Sequence, residues 1–394
     1  MNAATDTAAT TAPEGDDLAL VLVGGGARAA YQVGFLRSLV KRHPDIRLPI
    51  ITGTSAGAIN AAYLAARTGT VAEAVEELER LWSAQTVDQV FRVDSRSLFS
   101  HLLRWGIQLV SGGAPISPHV QGLLDTAPLR MFLNRTLHPA ENGEIEGIAR
   151  NIEAGRLRAL AITTSSYSTG QSVIWVQGGD IEDWERPNRR SRKTAITVDH
   201  IMASSALPLF FPAIRLDDGW YGDGGIRMVT PCSPAIHLGA RRILAVSNRY
   251  RRTIQEADRS LIRGYPPPAQ IAGQLIQAMF LDDLDRDRLN LERLNQLLEA
   301  LPPERRRGLR PVELVVIRPS RDFGRLAGEF EPRLPWFFRH LTRGLGSRET
   351  ASPDLLSLLM FQTDYIARLM EIGEADAEAE ADRVSELLDS QPSE

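Results

Sequence analysis

The chain contains 394 residues, of which 45 are basic and 49 acidic, so that its formal net charge is −4. This length suits roughly two to three average domains or one elaborated domain, and 43% apolar residues suffice for a sizeable core. The lack of a basic excess argues against a dedicated nucleic-acid-binding protein. The single cysteine, Cys232, excludes an intrachain disulfide framework and a cysteine-rich zinc site.

The sequence carries no segment suited to membrane insertion or export. No uninterrupted apolar run approaches the roughly 18 residues that a spanning helix needs. Residues 1–16 are rich in alanine and threonine and lack an apolar stretch, which predicts a disordered tail and not a secretory signal. We therefore expect a cytoplasmic protein, with peripheral contact to a membrane as an alternative. The oligomeric state is left open.

The first part of the chain alternates between strand and helix patterns. Residues 18–23 form a short apolar run that stops at three glycines, which predicts a buried parallel strand. A helix is predicted over 27–42, a second strand over 48–52 and a small-residue helix over 56–67. A third helix with a charged outer face is predicted over 71–82. This alternation is typical of an α/β sheet with crossover helices.

The later elements are less regularly spaced. A helical, aromatic-containing insertion is predicted at about 86–130 and a long helix at about 269–300. Ser352-Pro353-Asp354 is predicted to open a helix that runs to about Glu371. Further strands are predicted at four apolar segments, which are 157–163, 172–176, 243–247 and 312–317.

No internal repeat or linker divides the chain, so one elaborated domain is preferred over several. Residues 17–250 are predicted as the main domain, and 251–373 as a mainly helical extension packed on the same domain. Residues 374–394 are acidic and rich in alanine, which predicts a solvated helix or frayed tail.

A strand-to-helix junction carries the sequence Gly53-Thr54-Ser55-Ala56-Gly57. This is the G-x-S-x-G pattern of a nucleophile elbow, with the strand before it and the helix after it that the motif requires. Side chains at the two glycine positions would collide with neighbouring elements, and the first N–H groups of the helix point toward developing negative charge. The alternative is a tight turn with an incidental serine.

A second strand-to-helix junction carries Gly24-Gly25-Gly26-Ala27-Arg28. Consecutive glycines allow several backbone N–H groups to converge on one anion. A dinucleotide site would also need an acidic residue at the end of the next strand, whereas Asp45 precedes that strand. An oxyanion hole that serves Ser55 is favoured, because turns after adjacent parallel strands meet at one edge of the sheet.

The base that would activate Ser55 is open to two interpretations. The seven histidines lack a convincing setting, although a conventional Ser-His-Asp hydrolase would need a late one such as His237 or His340. Asp223 lies between glycines and could accept the serine proton directly, which would make a two-residue dyad. Taken alone, that segment is more often an ordinary Asp-Gly turn.

Three motifs in this order resemble those of the patatin-like phospholipases: Gly24–Arg28, Gly53–Gly57 and Asp223-Gly224-Gly225. The segment Met202–Pro212 is similar to the serine-alanine-proline segment of that family. The resemblance spans roughly residues 18–250. It implies a three-layer α/β/α fold with a mainly parallel central sheet and helical additions, in which the main domain is catalytic.

The resemblance also implies a role for each motif residue. Ser55 would be the nucleophile and Asp223 its general base, without a catalytic histidine. The N–H groups of Gly24, Gly25 and Gly26 would form the oxyanion hole, in a loop that also contains Ala27 and Arg28. The remaining motif glycines are Gly53, Gly57, Gly224 and Gly225. One departure from the family is Ala29, where glycine is usual.

The implied activity is that of a serine lipid acyl hydrolase of the phospholipase A, lysophospholipase or esterase type. It would cleave carboxylic esters of phospholipids or related lipids through an acyl-enzyme. Neither a metal nor an organic cofactor is implied. The open alternatives are the Ser-His-Asp esterase and a non-catalytic protein that binds lipid or nucleotide.

Three further segments are compatible with lipid contact. Residues 97–110 present a helical apolar face, and 335–343 mix aromatic with basic residues as interfacial anchors do. The basic run 186–193 suits anionic headgroups. Core packing explains the first two equally well, and a solvated loop explains the third.

Overall fold

The computed structural model describes residues 17–92, 122–179, 181–217, 219–258, 284–333 and 354–390, together with Tyr265, Ile271 and Gln274. The described residues form ten strands: β1 (Leu18–Leu22), β2 (Ile50–Thr54), β3 (Ala159–Ser166), β4 (Ser172–Gly178), β5 (Glu185–Arg186), β6 (Arg189–Lys193), β7 (Ile214–Leu216), β8 (Gly219–Asp223), β9 (Arg242–Val246) and β10 (Glu313–Ile317).

The same residues form fourteen α-helices: α1 (Ala30–Arg42), α2 (Ala56–Ala66), α3 (Val71–Ser83), α4 (Val87–Val90), α5 (Ala127–Leu137), α6 (Glu146–Glu153), α7 (Val198–Ser204), α8 (Ser233–His237), α9 (Ile254–Ala257), α10 (Leu284–Glu299), α11 (Phe323–Phe330), α12 (Asp354–Leu359), α13 (Thr363–Ala379) and α14 (Ala381–Asp389). Short 3-10 turns occur at Gly26–Ala29 and Gly224–Arg227.

The strands form one mainly parallel sheet. Its centre consists of β10, β9, β1, β2 and β3 in that order, all parallel. β4 continues the sheet antiparallel to β3, and β6 and β5 complete that edge. Leu22 at the end of β1 is paired with Gly53 near the end of β2. The turns that follow these two strands therefore lie side by side at the carboxyl edge of the sheet.

Helices cover both faces of the sheet, which gives the predicted three layers. A large apolar cluster on one face takes side chains from helices that include α1, α2, α3, α7 and α13. A smaller cluster on the opposite face is covered by α8 and α10. The continuous burial of β1, β2, β3 and β9 explains why these strands are runs of apolar and small residues without an alternating pattern.

β3 extends beyond its neighbour β2, and this extension places β8. Residues 159–163 of β3 pair with β2, whereas residues 164–166 pair with β8 in the antiparallel sense. β4 occupies the other side of β3 along its length. β8 therefore lies in line with β2, just past its carboxyl end, and its last residue is paired with Thr164.

The C-terminal part differs from the sequence prediction in two ways. The helix predicted from Ser352 to about Glu371 is two helices, because the chain breaks at Met360 and Phe361, which are both buried in the core. The acidic segment from Glu374 is not a solvated or frayed tail as far as Ser390. It lies in the second half of α13 and in α14, and the sparse apolar residues of this segment are buried in the core: Ala377, Val384 and Leu387.

Other predictions fall partly or wholly outside the described residues. The N-terminal tail 1–16 and the segments 97–110 and 335–343 are among them. The basic run 186–193 forms strands at the sheet edge, not a loop, because β6 pairs with β4 and β5. No helix within the described ranges is long and apolar enough to span a membrane.

Close backbone contact between α1 and α13 generates a stability prediction. A Cβ atom added at Gly34 would lie 1.9 Å from the carbonyl oxygen of Met370. We expect Gly34→Ala to lower the free energy of unfolding by about 1–3 kcal/mol through overpacking, although alanine favours helix. Urea denaturation measures the change. Gly179→Ala, where the added Cβ meets nothing within 4 Å, is the control and is expected to unfold as the wild type does.

Candidate active site

Ser55 occupies the sharp turn between β2 and α2. Its φ is 54° and its ψ −132°, a strained conformation for a residue with a side chain. A Cβ at Gly53 would lie 2.6 Å from the Cα of Ala58, and one at Gly57 would lie 2.3 Å from the carbonyl oxygen of Leu22. Both positions therefore require glycine, as the elbow motif predicts.

Two serines that the sequence analysis did not single out hold the backbone of Ser55. The Ser204 hydroxyl accepts a hydrogen bond from the Ser55 N–H at 3.0 Å and donates to the Thr163 carbonyl at 2.7 Å. The Ser205 hydroxyl donates to the Ser55 carbonyl at 3.1 Å. Both serines belong to the segment Met202–Pro212, which is similar to the serine-alanine-proline segment of the family. Two adjacent serines in this apolar segment were the sequence signal that could have indicated their polar role.

Asp223 ends β8 and is brought next to the elbow by the pairing of β8 with β3. Its N–H donates to the Ala206 carbonyl at 3.0 Å, and its Oδ1 accepts from the Gly225 N–H at 2.8 Å. The residue is fully buried. A Cβ at Gly224 would lie 2.2 Å from the carbonyl oxygen of Thr163, so the turn after the aspartate requires glycine there.

The environment of Asp223 raises the pKa of its carboxyl toward neutral pH. Burial raises its pKa to about 7, against the opposing effects of the Ser55 hydroxyl and the Gly225 N–H, which both favour the carboxylate. Its Oδ2 makes no full hydrogen bond to any described residue. The Ser55 hydroxyl is close enough to Asp223 to lower the pKa of the carboxyl.

The Gly24–Gly26 turn lies directly against the elbow. A Cβ at Gly24 would lie 2.7 Å from the Cβ of Ser55. Gly26 has a φ of 55°, in the left-handed region that favours glycine. No hydrogen bond from the N–H of Gly24 or Gly25 is made to the described part of the chain. These two donors are available for an oxyanion beside Ser55.

A buried amide network fixes the carbonyl side of this turn. Gln32 donates to the Val23 carbonyl at 2.7 Å, and Asn248 donates to the carbonyls of Val23 at 3.1 Å and Gly24 at 3.0 Å. Asn60 bridges the Ala29 carbonyl and the Gln32 side chain. These amides were not predicted from the sequence, because their hydrogen bonds form only in the tertiary structure, across separations of 9 to 225 residues.

Arg28 lies in the predicted loop, but its guanidinium is directed to the C-terminal part of the chain. It donates to Ser357, which is buried, and to Asp354, which is half-buried. Ala29, which stands where the family usually has glycine, has an ordinary φ of −66° and is fully buried. Alanine is therefore accommodated at this position without backbone strain.

The histidine alternatives find no support among the described residues. The His237 side chain contacts Ser233 and the ring of Trp184, beside the apolar cluster on the sheet face opposite α2. His200 is buried beside Trp175, and burial lowers its pKa to about 4. His340 lies outside the described residues.

The nucleotide alternative lacks its acidic partner at the turn. Asp45 is exposed and precedes β2, so it lies at the edge of the sheet opposite the Gly24–Gly26 turn. Within the described ranges, no group of three or more histidine, cysteine, aspartate or glutamate side chains could hold a metal ion.

An apolar cavity borders Ser55 at the carboxyl edge of the sheet. Gly25, Gly26 and Ser55 are among the residues that line it. Its walls come from several helices and are mostly aliphatic and aromatic: Ile59, Tyr63, Leu78, Leu81, Trp82, Val90, Leu129, Phe132, Leu133, Leu137, Leu207, Phe211, Leu358, Leu359 and Phe361. Such a lining suits a hydrocarbon chain attached to a group held at Ser55.

The sheet, the elbow and the glycine turn define an α/β protein with a serine at the carboxyl edge of its central strands. The sequence matches the patatin-like phospholipase family over residues 20–236, and the chain belongs to that family. No curated protein matches the sequence.

Similar solved structures include human GIVD cytosolic phospholipase A2, with 11% sequence identity and a TM-score of 0.45. The match covers 94% of this chain and 59% of that protein. VipD from Legionella pneumophila is similar at 14% identity with a TM-score of 0.39, over 96% of this chain and 68% of VipD.

The raised pKa of Asp223 generates a prediction about the reactivity of Ser55. If Asp223 accepts the Ser55 proton, it does so only as the carboxylate, so the rate of phosphonylation by a fluorophosphonate should rise through pH 7 and level off above it. Below pH 6 we expect a fall of about tenfold per pH unit. Labelling rates measured by mass spectrometry test this, and a rate that is flat between pH 5 and pH 8 would contradict it.

Proposed function

We propose that this protein is a serine lipid acyl hydrolase that cleaves carboxylic ester bonds of phospholipids or related lipids. The observation that carries the proposal is the meeting of three features at one point. A strained serine lines an apolar cavity beside a glycine turn, and the buried carboxylate of Asp223 lies next to that serine. Within the described part of the chain, one oxygen of this carboxylate and the N–H groups of Gly24 and Gly25 have no hydrogen-bond partner. The family match supports a lipid substrate.

In the proposed reaction, the Ser55 Oγ attacks the ester carbonyl while its proton passes to Asp223 Oδ2. The N–H groups of the Gly24–Gly26 turn stabilise the oxyanion of the tetrahedral intermediate. Collapse of this intermediate breaks the ester C–O bond, and the departing alcohol takes the proton from Asp223. Water then attacks the acyl-enzyme with Asp223 again as base, which releases the fatty acid and restores the serine.

The position of the acyl chain follows from the cavity. Because Ser55, Gly25 and Gly26 line the cavity, an acyl group bonded to Ser55 can extend along its apolar wall. Removal of the chain from water contributes about 0.8 kcal/mol per buried methylene group to binding. The headgroup would remain at the mouth. Lipid acyl groups are thus better suited to this site than short acyl groups.

An aspartate base is effective here because its pKa is near 7. A carboxylate with an ordinary pKa near 4 would be a poor acceptor for a serine proton at neutral pH. Burial raises the pKa of Asp223 and so makes its carboxylate a better proton acceptor. The Gly225 N–H stabilises the buried carboxylate by its hydrogen bond to Oδ1. A histidine is therefore unnecessary in this mechanism.

The direct test is the hydrolysis of short- and long-chain nitrophenyl esters and of a phospholipid. Ser55→Ala should reduce kcat/KM by at least about 1,000-fold, and Asp223→Asn by about 100- to 10,000-fold, because one removes the nucleophile and the other the base. His237→Ala, on the opposite face of the sheet, is the control and should resemble the wild type. Full activity in Asp223→Asn would refute the dyad. Loss of ester hydrolysis in His237→Ala would favour the Ser-His-Asp alternative.

A further inference from the structure

Helix α12 contacts the glycine turn although it lies beyond the residues that match the family. The Arg28 Nε donates to the Ser357 Oγ at 2.6 Å. Its Nη2 donates to the carboxylate of Asp354 at 2.6 Å and to the Asp354 carbonyl at 3.2 Å. The charged side chains of Arg28 and Asp354 are each only 11% exposed, so this ion pair is largely withdrawn from water.

The backbone of α12 approaches the same turn. A Cβ at Gly26 would lie 2.1 Å from the carbonyl oxygen of Leu358, so the two segments pack with no side chain between them. Leu358, Leu359 and Phe361 also form part of the cavity wall. The segment from Asp354 to Phe361 therefore contacts the Gly24–Gly26 turn on one side and borders the apolar cavity on the other.

We propose that α12 completes the active site, with Asp354 and Ser357 as positioning residues that act through Arg28. The proposal rests on the hydrolase function above. The planar guanidinium fixes both the direction and the distance of its hydrogen bonds, so it holds the Gly24–Gly26 turn in one orientation toward Ser55. Oxyanion donors must be placed to within about 0.5 Å, which a turn of three glycines does not achieve unaided.

A second buried ion pair in this chain provides a matched control. Arg242 and Asp17 are joined at 2.7 Å, and their side chains are also 11% exposed each. This pair lies at the start of β1 and β9, at the sheet edge opposite Ser55. Asp17→Asn should therefore disturb the fold about as much as Asp354→Asn does, without moving the glycine turn.

The experiment compares ester hydrolysis and thermal unfolding in these two variants. Both should unfold at a lower temperature than the wild type, because each leaves an arginine buried beside a neutral amide. Only Asp354→Asn should lose kcat, by about 10- to 100-fold with KM little changed, and Asp354→Glu should recover part of the loss. Ser357→Ala should lower kcat less.

Equal kcat values in Asp354→Asn and Asp17→Asn would overturn the proposal, because α12 would then only stabilise the fold. A loss confined to KM would overturn it as well. A wild-type protein that hydrolyses no ester would instead refute the hydrolase function on which the proposal rests.

A different observation concerns Gln85, which follows α3 and lines the cavity. Its side chain is 95% buried, since the residue is only 5% exposed, and its Nε2 has no hydrogen-bond partner in the described part of the chain. Its neighbours in the wall include Leu81, Trp82 and Val90, which are apolar. A buried amide without a partner is costly, so its presence in a mostly apolar wall indicates a ligand that supplies the missing bond.

We infer that Gln85 binds an oxygen atom carried on the acyl chain, such as a hydroxyl group. The inference also rests on the hydrolase function. The Nε2 donor would pair with this oxygen inside the cavity, and an unsubstituted chain would leave the donor unpaired. The cavity would then favour oxygenated acyl chains over plain hydrocarbon chains of the same length.

The test uses nitrophenyl esters of equal chain length that are unsubstituted or carry one hydroxyl at successive positions. The wild type should prefer one hydroxylated isomer by about tenfold in kcat/KM, as one added hydrogen bond would give. Gln85→Met, of similar shape but apolar, should lose this preference without a lower unfolding temperature. Gln362→Met, which removes a half-buried amide with a buried Oε1 that does not line the cavity, is the control and should keep the preference.

A wild type that favours the unsubstituted ester over every isomer would overturn the Gln85 inference. A preference that persists in Gln85→Met would do so too. Failure to hydrolyse any of the esters would count against the hydrolase function and not against Gln85 alone.

Discussion

The close approach of two backbone turns at the carboxyl edge of β1 and β2 is the constraint on which the site depends. Gly57 packs against the Leu22 carbonyl, and Gly24 packs against Ser55 itself. A single methyl group at either glycine would force the turns apart. Parallel pairing of the two strands brings these turns together, and the small-residue helix α2 allows the sheet and the elbow to come so close.

This close packing has an electrostatic consequence. Water is excluded from the aspartate, which raises its pKa, and from the amides that hold the carbonyl side of the glycine turn. In such surroundings a polar group without a hydrogen bond destabilises the fold, and a hydrogen-bonded polar group is held rigidly. The same exclusion of water that raises the pKa of Asp223 therefore also keeps the glycine turn fixed beside Ser55.

Much of the fold could be predicted from sequence because the relevant signals are local. Alternating strand and helix patterns indicated the α/β sheet, and glycines around Ser55 and Asp223 indicated turns that only glycine fits. The partners of Arg28, by contrast, lie more than 300 residues away, and Ser204 and Asn248 act only through tertiary contacts. The burial of residues 374–389 was hidden because their few apolar residues are spread among many acidic ones. The catalytic roles themselves stay predictions.

The length of β3 sets the distance between Ser55 and Asp223. It pairs with β2, which leads to Ser55, and with β8, which ends at Asp223, so the spacing of the two side chains is set by the ladder of one strand. Loops between β3 and β8 can lengthen or shorten without changing that spacing. A slip of β8 by a single residue would instead place Gly222 or Gly224 opposite Thr164, and the site would have no carboxylate. The site therefore tolerates insertions in the loops between β3 and β8, but it does not tolerate a change in the register of β8.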